Sequence, residues 1–301
     1  MKVELLGITK RYGEVVAVDD FTFSVEHNTI AGLIGPNAAG KTTTLKMISG
    51  LVKPTKGAVL YDGKTEKPPI VYHWPWASWG WVANLGRFLE TYTMYYGYSR
   101  SEAKERVRWL AEKFSFTDYL DKYDWVLSFG TRTKVLVAMS FIPDADLYCL
   151  DEPFPGLDPY TRRSTANMIK ELRDKGKTII VSSHVLGEIE NLCDRVIIIN
   201  KGKLVSMGPP LLLKQATEKR ILELVVRGEL PENVADQLKA VSPQISTHED
   251  ATEVRADVPE SFSLQDLLKM IPEEKTLSVT LRLPTLEEMI SELVEVKEVS
   301  A

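Results

Sequence analysis

Short apolar runs separated by turn residues fill the first part of the chain: Val3 to Ile8, Val15 to Val18, Phe21 to Val25 and Ile30 to Ile34. Runs of that length, bounded by polar residues and glycine, predict strands. The segment from Gly35 to Gly40 breaks the pattern, and from Lys41 to Ser49 the apolar positions take helical spacing. Between Ser101 and Lys113 charges alternate with apolar positions in a helical rhythm, which predicts a mostly helical insertion from about Tyr72 to Ser140. Beyond it the pattern predicts a helix over Val135 to Ile142, a buried strand from Leu147 to Leu150 that ends in Asp151 and Glu152, a helix from Thr161 to Lys175, and a strand from Thr178 to Val181. Strands alternating with helices imply an α/β fold with a mixed, mostly parallel sheet covered on both faces.

After Gly208, Pro209 and Pro210 the pattern changes. Strand text at Ile221 to Val226 is followed by a helix (Glu232 to Val241), two strands (Gln244 to His248 and Glu253 to Val258), a helix (Leu264 to Ile271), a strand (Thr276 to Leu283) and a last helix. Pro284 stops the last strand, and Thr285 with Glu288 forms a capping box for the final helix. The βαββαβ order predicts a small ferredoxin-like α+β domain over 208–301, behind a larger domain over 1–207.

Composition narrows the function classes. No stretch of the 301 residues holds the run of about eighteen apolar residues that a spanning helix needs. A membrane, if one is involved, must come with a partner. The opening Met-Lys-Val-Glu-Leu-Leu-Gly lacks the apolar core of a signal peptide, so the expected location is the cytoplasm. A net charge of −5 argues against a nucleic-acid ligand, whose affinity rests on Lys and Arg contacts. The two cysteines, Cys149 and Cys193, fit reduced thiols rather than a disulfide framework.

The chemistry is concentrated in two places. Gly35-Pro36-Asn37-Ala38-Ala39-Gly40-Lys41-Thr42 has the P-loop spacing of glycine, four residues, glycine, lysine and Ser/Thr, between a predicted strand and a predicted helix. Glycines let backbone N–H groups curl around a phosphate, Lys41 reaches the β and γ oxygens, and the Thr42 hydroxyl can ligate Mg²⁺. The second place is the end of the Leu147 strand, where Asp151 can join the Mg²⁺ shell and Glu152 can stand beside an attacking water.

Gly35 to Thr43, Leu127-Ser128-Phe129-Gly130, Leu150 to Pro153, Gly156-Leu157-Asp158 and Ser182-Ser183-His184 follow one another in an order that resembles the ATP-binding-cassette ATPases, over roughly residues 1 to 207. The resemblance implies ATP and Mg²⁺ as cofactors and hydrolysis of the ATP. It implies that Tyr12 stacks on adenine, that Ser128 and Gly130 reach the γ-phosphate held by an opposite subunit, that Asp158 links the two sites of a dimer, and that His184 contacts the γ-phosphate. It further implies a homo- or heterodimer beneath a membrane-spanning permease, at the inner face of the cell membrane. Residues 203 to 210 and Leu283-Pro284-Thr285-Leu286-Glu287-Glu288-Met289 resemble the C-terminal extension of drug- and lipid-export cassettes, which points to export.

The chain also departs from that family. No glutamine precedes Gln215, and the family's loop glutamine falls on Pro75 or Trp76; Thr131 and Thr133 stand at other family positions, and Ala38 replaces a P-loop glycine while keeping its N–H. Loss of a metal-shell donor predicts slow turnover and keeps a second reading open, that of a nucleotide-gated regulatory subunit. Trp74, Trp76, Trp79 and Trp81 cluster in the uncharged stretch from Pro68 to Gly86, which predicts a docking surface for the membrane partner against the alternative of an irregular segment folded on its own insertion.

Overall fold

The computed structural model describes residues 1–74, 83–217, 219–248 and 250–289. They fall into two compact units, Met1–Pro209 and Pro210–Ala301.

The first unit opens with β1 (Val3–Tyr12) and β2 (Val15–Val25), then β3 (Ile30–Ile34), the P-loop, α1 (Lys41–Ile48), β4 (Lys56–Tyr61) and β5 (Ile70–His73). Three helices follow, α2 (Leu85–Tyr95), α3 (Arg100–Lys113) and α4 (Phe129–Met139), before β6 (Leu147–Asp151), α5 (Pro159–Asp174), β7 (Thr178–Ser183), α6 (Leu186–Glu190), β8 (Arg195–Asn200) and β9 (Lys203–Gly208). β2, β1 and β4 make an antiparallel sheet. The larger sheet has the order β5-β6-β7-β3-β8-β9, parallel throughout except for β9. Every residue of β3, β6 and β7 is buried, as expected of parallel strands covered on both faces. Leu5, Phe21, Leu33, Leu45, Ile180 and Ile197 belong to one core that joins the two sheets and α1.

Local sequence sets most boundaries. Ser99 and Glu102 close a capping box on α3, Asn84 caps α2 through Arg87 N, and Ser128 caps α4 through Thr131 N. Two expectations need correction. Val15 to Val18 and Phe21 to Val25 are one strand rather than two. Asp20 between them takes φ 47°, and its N–H donates to Thr9 Oγ1 at 3.1 Å, so the polar pair rides on an irregularity in the ladder instead of turning the chain. Tyr72 belongs to the sheet, because Ile70–His73 pairs in parallel with Leu147–Leu150; the helical insertion begins after it.

The second unit holds α7 (Pro210–Gln215), β10 (Lys219–Arg227), α8 (Glu232–Lys239), β11 (Gln244–Thr247), β12 (Ala251–Pro259), α9 (Leu264–Lys269) and β13 (Thr276–Arg282). The sheet order β11-β12-β10-β13, antiparallel at every pairing, is that of the ferredoxin-like fold. Alternation along β10 and β12 sends Leu222, Leu224, Val226, Val254, Ala256 and Val258 to one face, where Val234 and Leu238 of α8 and Leu267 of α9 cover them.

The capping box forms as the spacing predicts: Glu288 N–H donates to Thr285 Oγ1 at 3.2 Å and Thr285 N–H to Glu288 Oε2 at 2.6 Å. Glu288 does more than cap. Arg282 forks onto both its oxygens at 2.9 Å and reaches Glu223 at 2.7 Å, and Arg255 also pairs with Glu288. The Arg282 guanidinium pulls the Glu288 carboxyl down to about 2 from an ordinary value near 4.5. A carboxylate depressed in the folded state stabilises above its unfolded pKa and loses that contribution as pH falls through its folded pKa. Glu288→Gln is therefore expected to cost the second unit about 2 kcal/mol at neutral pH. In urea titrations the gap between parent and variant should hold above pH 4.5 and shrink toward pH 2. A gap that does not change with pH would contradict the ion-pair origin.

Candidate nucleotide and Mg²⁺ site

Parallel pairing brings the ends of β6, β7 and β3 side by side. The sequences that follow those ends are Asp151-Glu152, Ser182-Ser183-His184 and the P-loop, so three stretches far apart in the chain converge at one edge. A cleft of about 680 Å³ opens there. Tyr12, Asn37 to Thr43, Glu152 and His184 line it, joined by Phe129, Thr133 and Leu136 of α4 and by His73 of β5.

The P-loop glycines are needed where they stand. A Cβ on Gly35 would lie 2.1 Å from the Ile199 carbonyl oxygen, and Gly40 takes φ 109° as it enters α1. Pro36 O accepts the Ala39 N–H at 3.2 Å to close the loop. Ala38 keeps the backbone N–H that its sequence suggests, but it also takes φ 62°. A side chain in the left-handed region costs about 1 kcal/mol, a strain that the sequence reading does not anticipate.

Lys41 is buried, its Nζ donating to Gly35 O at 2.8 Å and Pro36 O at 3.0 Å and standing 3.6 Å from Glu152 Oε1. Glu152 takes φ 48° immediately after β6. Its Oε2 meets His184 Nδ1 at 2.8 Å and the His184 backbone N–H at 3.4 Å. A carboxylate only accepts, so the Nδ1 proton sits on that bond. Lysine and histidine thus hold the carboxylate from two sides, an arrangement able to take a proton from a water in the cleft.

Asp151 is fully buried, with Oδ1 accepting Ser182 Oγ at 2.6 Å and Oδ2 accepting Tyr72 OH at 3.0 Å. Ser182 Oγ also accepts the Glu152 N–H at 3.0 Å, so one hydroxyl sets both carboxylates. Neither Ser182, though part of the Ser182-Ser183-His184 motif, nor Tyr72 has a role assigned by the sequence pattern. The signal for Ser182 is its register opposite Asp151 on a neighbouring parallel strand. Asp151 has no ion pair among the described residues, and a buried carboxylate without a cation suits a metal. No three His, Cys, Asp or Glu side chains converge among those residues, so a cation here would have the Asp151 carboxylate, which does not itself line the cleft, the exposed Thr42 hydroxyl and phosphate oxygens to draw on. Hard oxygens of that kind fit Mg²⁺.

Tyr12 is half exposed at the rim, with Lys10 Nζ 5.1 Å from its ring centroid. Thr43 lines the cleft beside Thr42. Ser128, Gly130 and Asp158 do not line it. Ser128 Oγ is engaged with Thr131, by its N–H at 3.2 Å and its Oγ1 at 2.9 Å. Asp158 caps α5 through Thr161 N–H at 3.0 Å and pairs with Lys134 of α4 at 2.7 Å; Lys134 first, then the Thr161 bonds, hold its carboxyl well below the usual carboxylate range. Cys149 and Cys193 are buried free thiols whose pKa burial pushes up, which suits inert packing. Pro75, Trp76, Trp79 and Trp81 lie outside the described residues. Trp74, half exposed, edges onto Tyr72 and takes Lys46 Nζ at 5.0 Å from its ring.

Residues 18–155 match the ABC transporter family. The chain is 30% identical over 266 residues to the Nod factor export ATP-binding protein I of Cupriavidus metallidurans, covering 85% of this chain and 84% of that protein. It is 30% identical to the daunorubicin/doxorubicin resistance ATP-binding protein DrrA of Streptomyces peucetius over 257 residues, 83% of this chain and 78% of the relative. Among solved structures, the ATP-binding subunit of an ABC transporter superposes with a TM-score of 0.65 at 28% identity, covering 72% of this chain and 93% of that one. The chain belongs to the ABC transporter ATP-binding family. It is an ATPase whose cofactors are ATP and Mg²⁺.

Proposed function

We propose that this chain powers an exporter: it binds Mg·ATP, closes on a second cassette, a copy of itself or a homologue, and hydrolyses the nucleotide beneath a membrane-spanning permease at the cytoplasmic face. The observation that carries the reading is a half-built site. Lys41, Glu152 and His184 meet in the cleft, whereas Ser128 and Gly130, the donors expected on the γ-phosphate, stand outside it. A second chain must bring them. In this reading the P-loop from Gly35 to Thr43 cradles the phosphates, Tyr12 carries the adenine, and Thr42 and Asp151 hold Mg²⁺. The ion, when bound, neutralises charge on the phosphate oxygens. Glu152 accepts the proton of the attacking water, His184 contacts the γ-phosphate, and Asp158 joins the two halves of the dimer.

The direction of transport draws support from the two relatives named for export and for drug resistance, and from the tail likeness. No helix among the described residues is long and apolar enough to cross a membrane. The tryptophan-rich stretch around Trp74 is the proposed contact with it. The lack of any glutamine before Gln215 favours a second reading, a slow nucleotide-gated regulator paired with a faster subunit. A tagged chain purified from detergent-solubilised native membranes tests both. A multi-spanning protein and ATP turnover in the same fraction are expected. Turnover that survives only when a second, different cassette is present selects the regulator, and a chain left in the soluble fraction without a permease overturns the proposal.

A further inference from the structure

Strand β5 ends in two polar side chains that face opposite ways. Pleating sends Tyr72 and His73 to opposite faces of the sheet. Tyr72 packs against the α1-side core, and its hydroxyl donates to Asp151 Oδ2 at 3.0 Å. His73 is buried on the other face, where Nδ1 meets Ser140 Oγ at 3.0 Å. Ser140 is the C-cap of α4, and its hydroxyl also reaches the Leu136 carbonyl at 3.3 Å. His73 lines both the nucleotide cleft and a separate cavity of about 340 Å³ bounded by Tyr72, Trp74, Tyr92 and Tyr96. Burial pushes the imidazole down to about 4 despite the nearby Asp151 charge, so the ring stays neutral and keeps one donor and one acceptor.

We propose that Tyr72 and His73 are positioning residues that tie the cation carboxylate to the signature-bearing helix, so that loading Asp151 moves Ser128 and Gly130. The path is short and stiff. Among the described residues Asp151 has two partners, Ser182 and Tyr72, both hydroxyls. With a cation on Asp151, the Tyr72 hydroxyl would lose part of its acceptor and the end of β5 would shift. The neighbouring residue, His73, grips the C-terminal end of α4. That helix runs 11 residues from its Ser128 cap, about 16 Å, and a rigid helix pivoting at one end swings the other. The His73–Ser140 contact is buried, and the Tyr72 hydroxyl, itself part-buried, meets a fully buried carboxylate.

The inference rests on Asp151 as the Mg²⁺ carboxylate, and Asp151→Asn tests that separately: parent-like Mg·ATP affinity in this variant would remove the foundation. Tyr72→Phe and Ser140→Ala each delete one hydroxyl and leave the packing. In the full chain each is expected to lower kcat about tenfold with KM for ATP within about threefold, the size typical of partners that orient a metal ligand. Because the two act through one connection, the double variant should be no slower than the slower single variant. Hydrogen–deuterium exchange supplies a readout that does not need turnover. In the parent, Mg·ATP should change exchange across residues 129–139; in both variants calorimetry should find Mg·ATP still bound while that change is lost. Parent-like kcat, effects that multiply in the double variant, or an unaltered exchange response in the variants would each overturn the proposal.

Discussion

Glu152→Gln is expected to bind Mg·ATP as tightly as the parent and to turn it over at least about 100-fold more slowly, the range that a positioned general base contributes. The amide keeps the shape of the carboxylate but has no basic oxygen pair for a proton. It also changes the local polarity. His184 Nδ1–H can still donate to the amide oxygen, as it does to Oε2 at 2.8 Å, and the amide N–H₂ then faces Lys41 where Oε1 stood at 3.6 Å. Two donors facing one another weaken the grip on Lys41, yet the lysine keeps both P-loop carbonyls. Binding survives while the chemistry does not. With hydrolysis blocked, ATP should hold two chains together, and light scattering should read a dimer with Mg·ATP and a monomer without it. Steady-state turnover equal to the parent would show that Glu152 is not the base.

The parts of this site that could be read in the sequence share a physical cause. β3, β6 and β7 are buried on both faces, so they are written as unbroken apolar runs, and the polar residues that end them stand out. Lys41, Asp151, Glu152 and His184 are visible for that reason. β5 is only four residues long and ends in Tyr72 and His73. Nothing in its pattern marks a strand end with partners on both faces, and it reads as the start of the helical insertion. Ser182 was in view as part of a motif, but its bonds to both Asp151 and Glu152 depend on the register of β6 on β7. Ala38 shows the limit of reasoning from groups alone: the N–H is present as expected, and the cost is in φ, which no residue list contains. In the second unit the order of elements was legible from alternation and capping. The pairing of Glu288 with Arg282 and Arg255, and of Arg282 with Glu223, was not, because cross-strand neighbours follow from pairing rather than spacing.

Lys41→Ala should abolish both tight nucleotide binding and turnover, with affinity for Mg·ATP falling about 100-fold or more by calorimetry. Three roles end together. In the proposed reading the ammonium meets the β and γ oxygens at the start of α1; it also bridges the Gly35 and Pro36 carbonyls at 2.8 and 3.0 Å and faces Glu152 at 3.6 Å. Without it, an incoming phosphate meets the Glu152 carboxylate unscreened, so the site repels the charge that it was built to hold. Arginine should not rescue the variant. Lys41 is 7% exposed in a loop drawn tight by Gly35 and Gly40, and a planar guanidinium has neither the room nor the compact, rotatable charge of an ammonium. The fold should persist, because the core under the P-loop is made by Ala39, Leu45 and Ile48 and not by the lysine. A variant with the parent's melting temperature and no nucleotide affinity would place the defect at the phosphate. Unchanged affinity would contradict the assignment of residues 35–43 as the phosphate-binding loop.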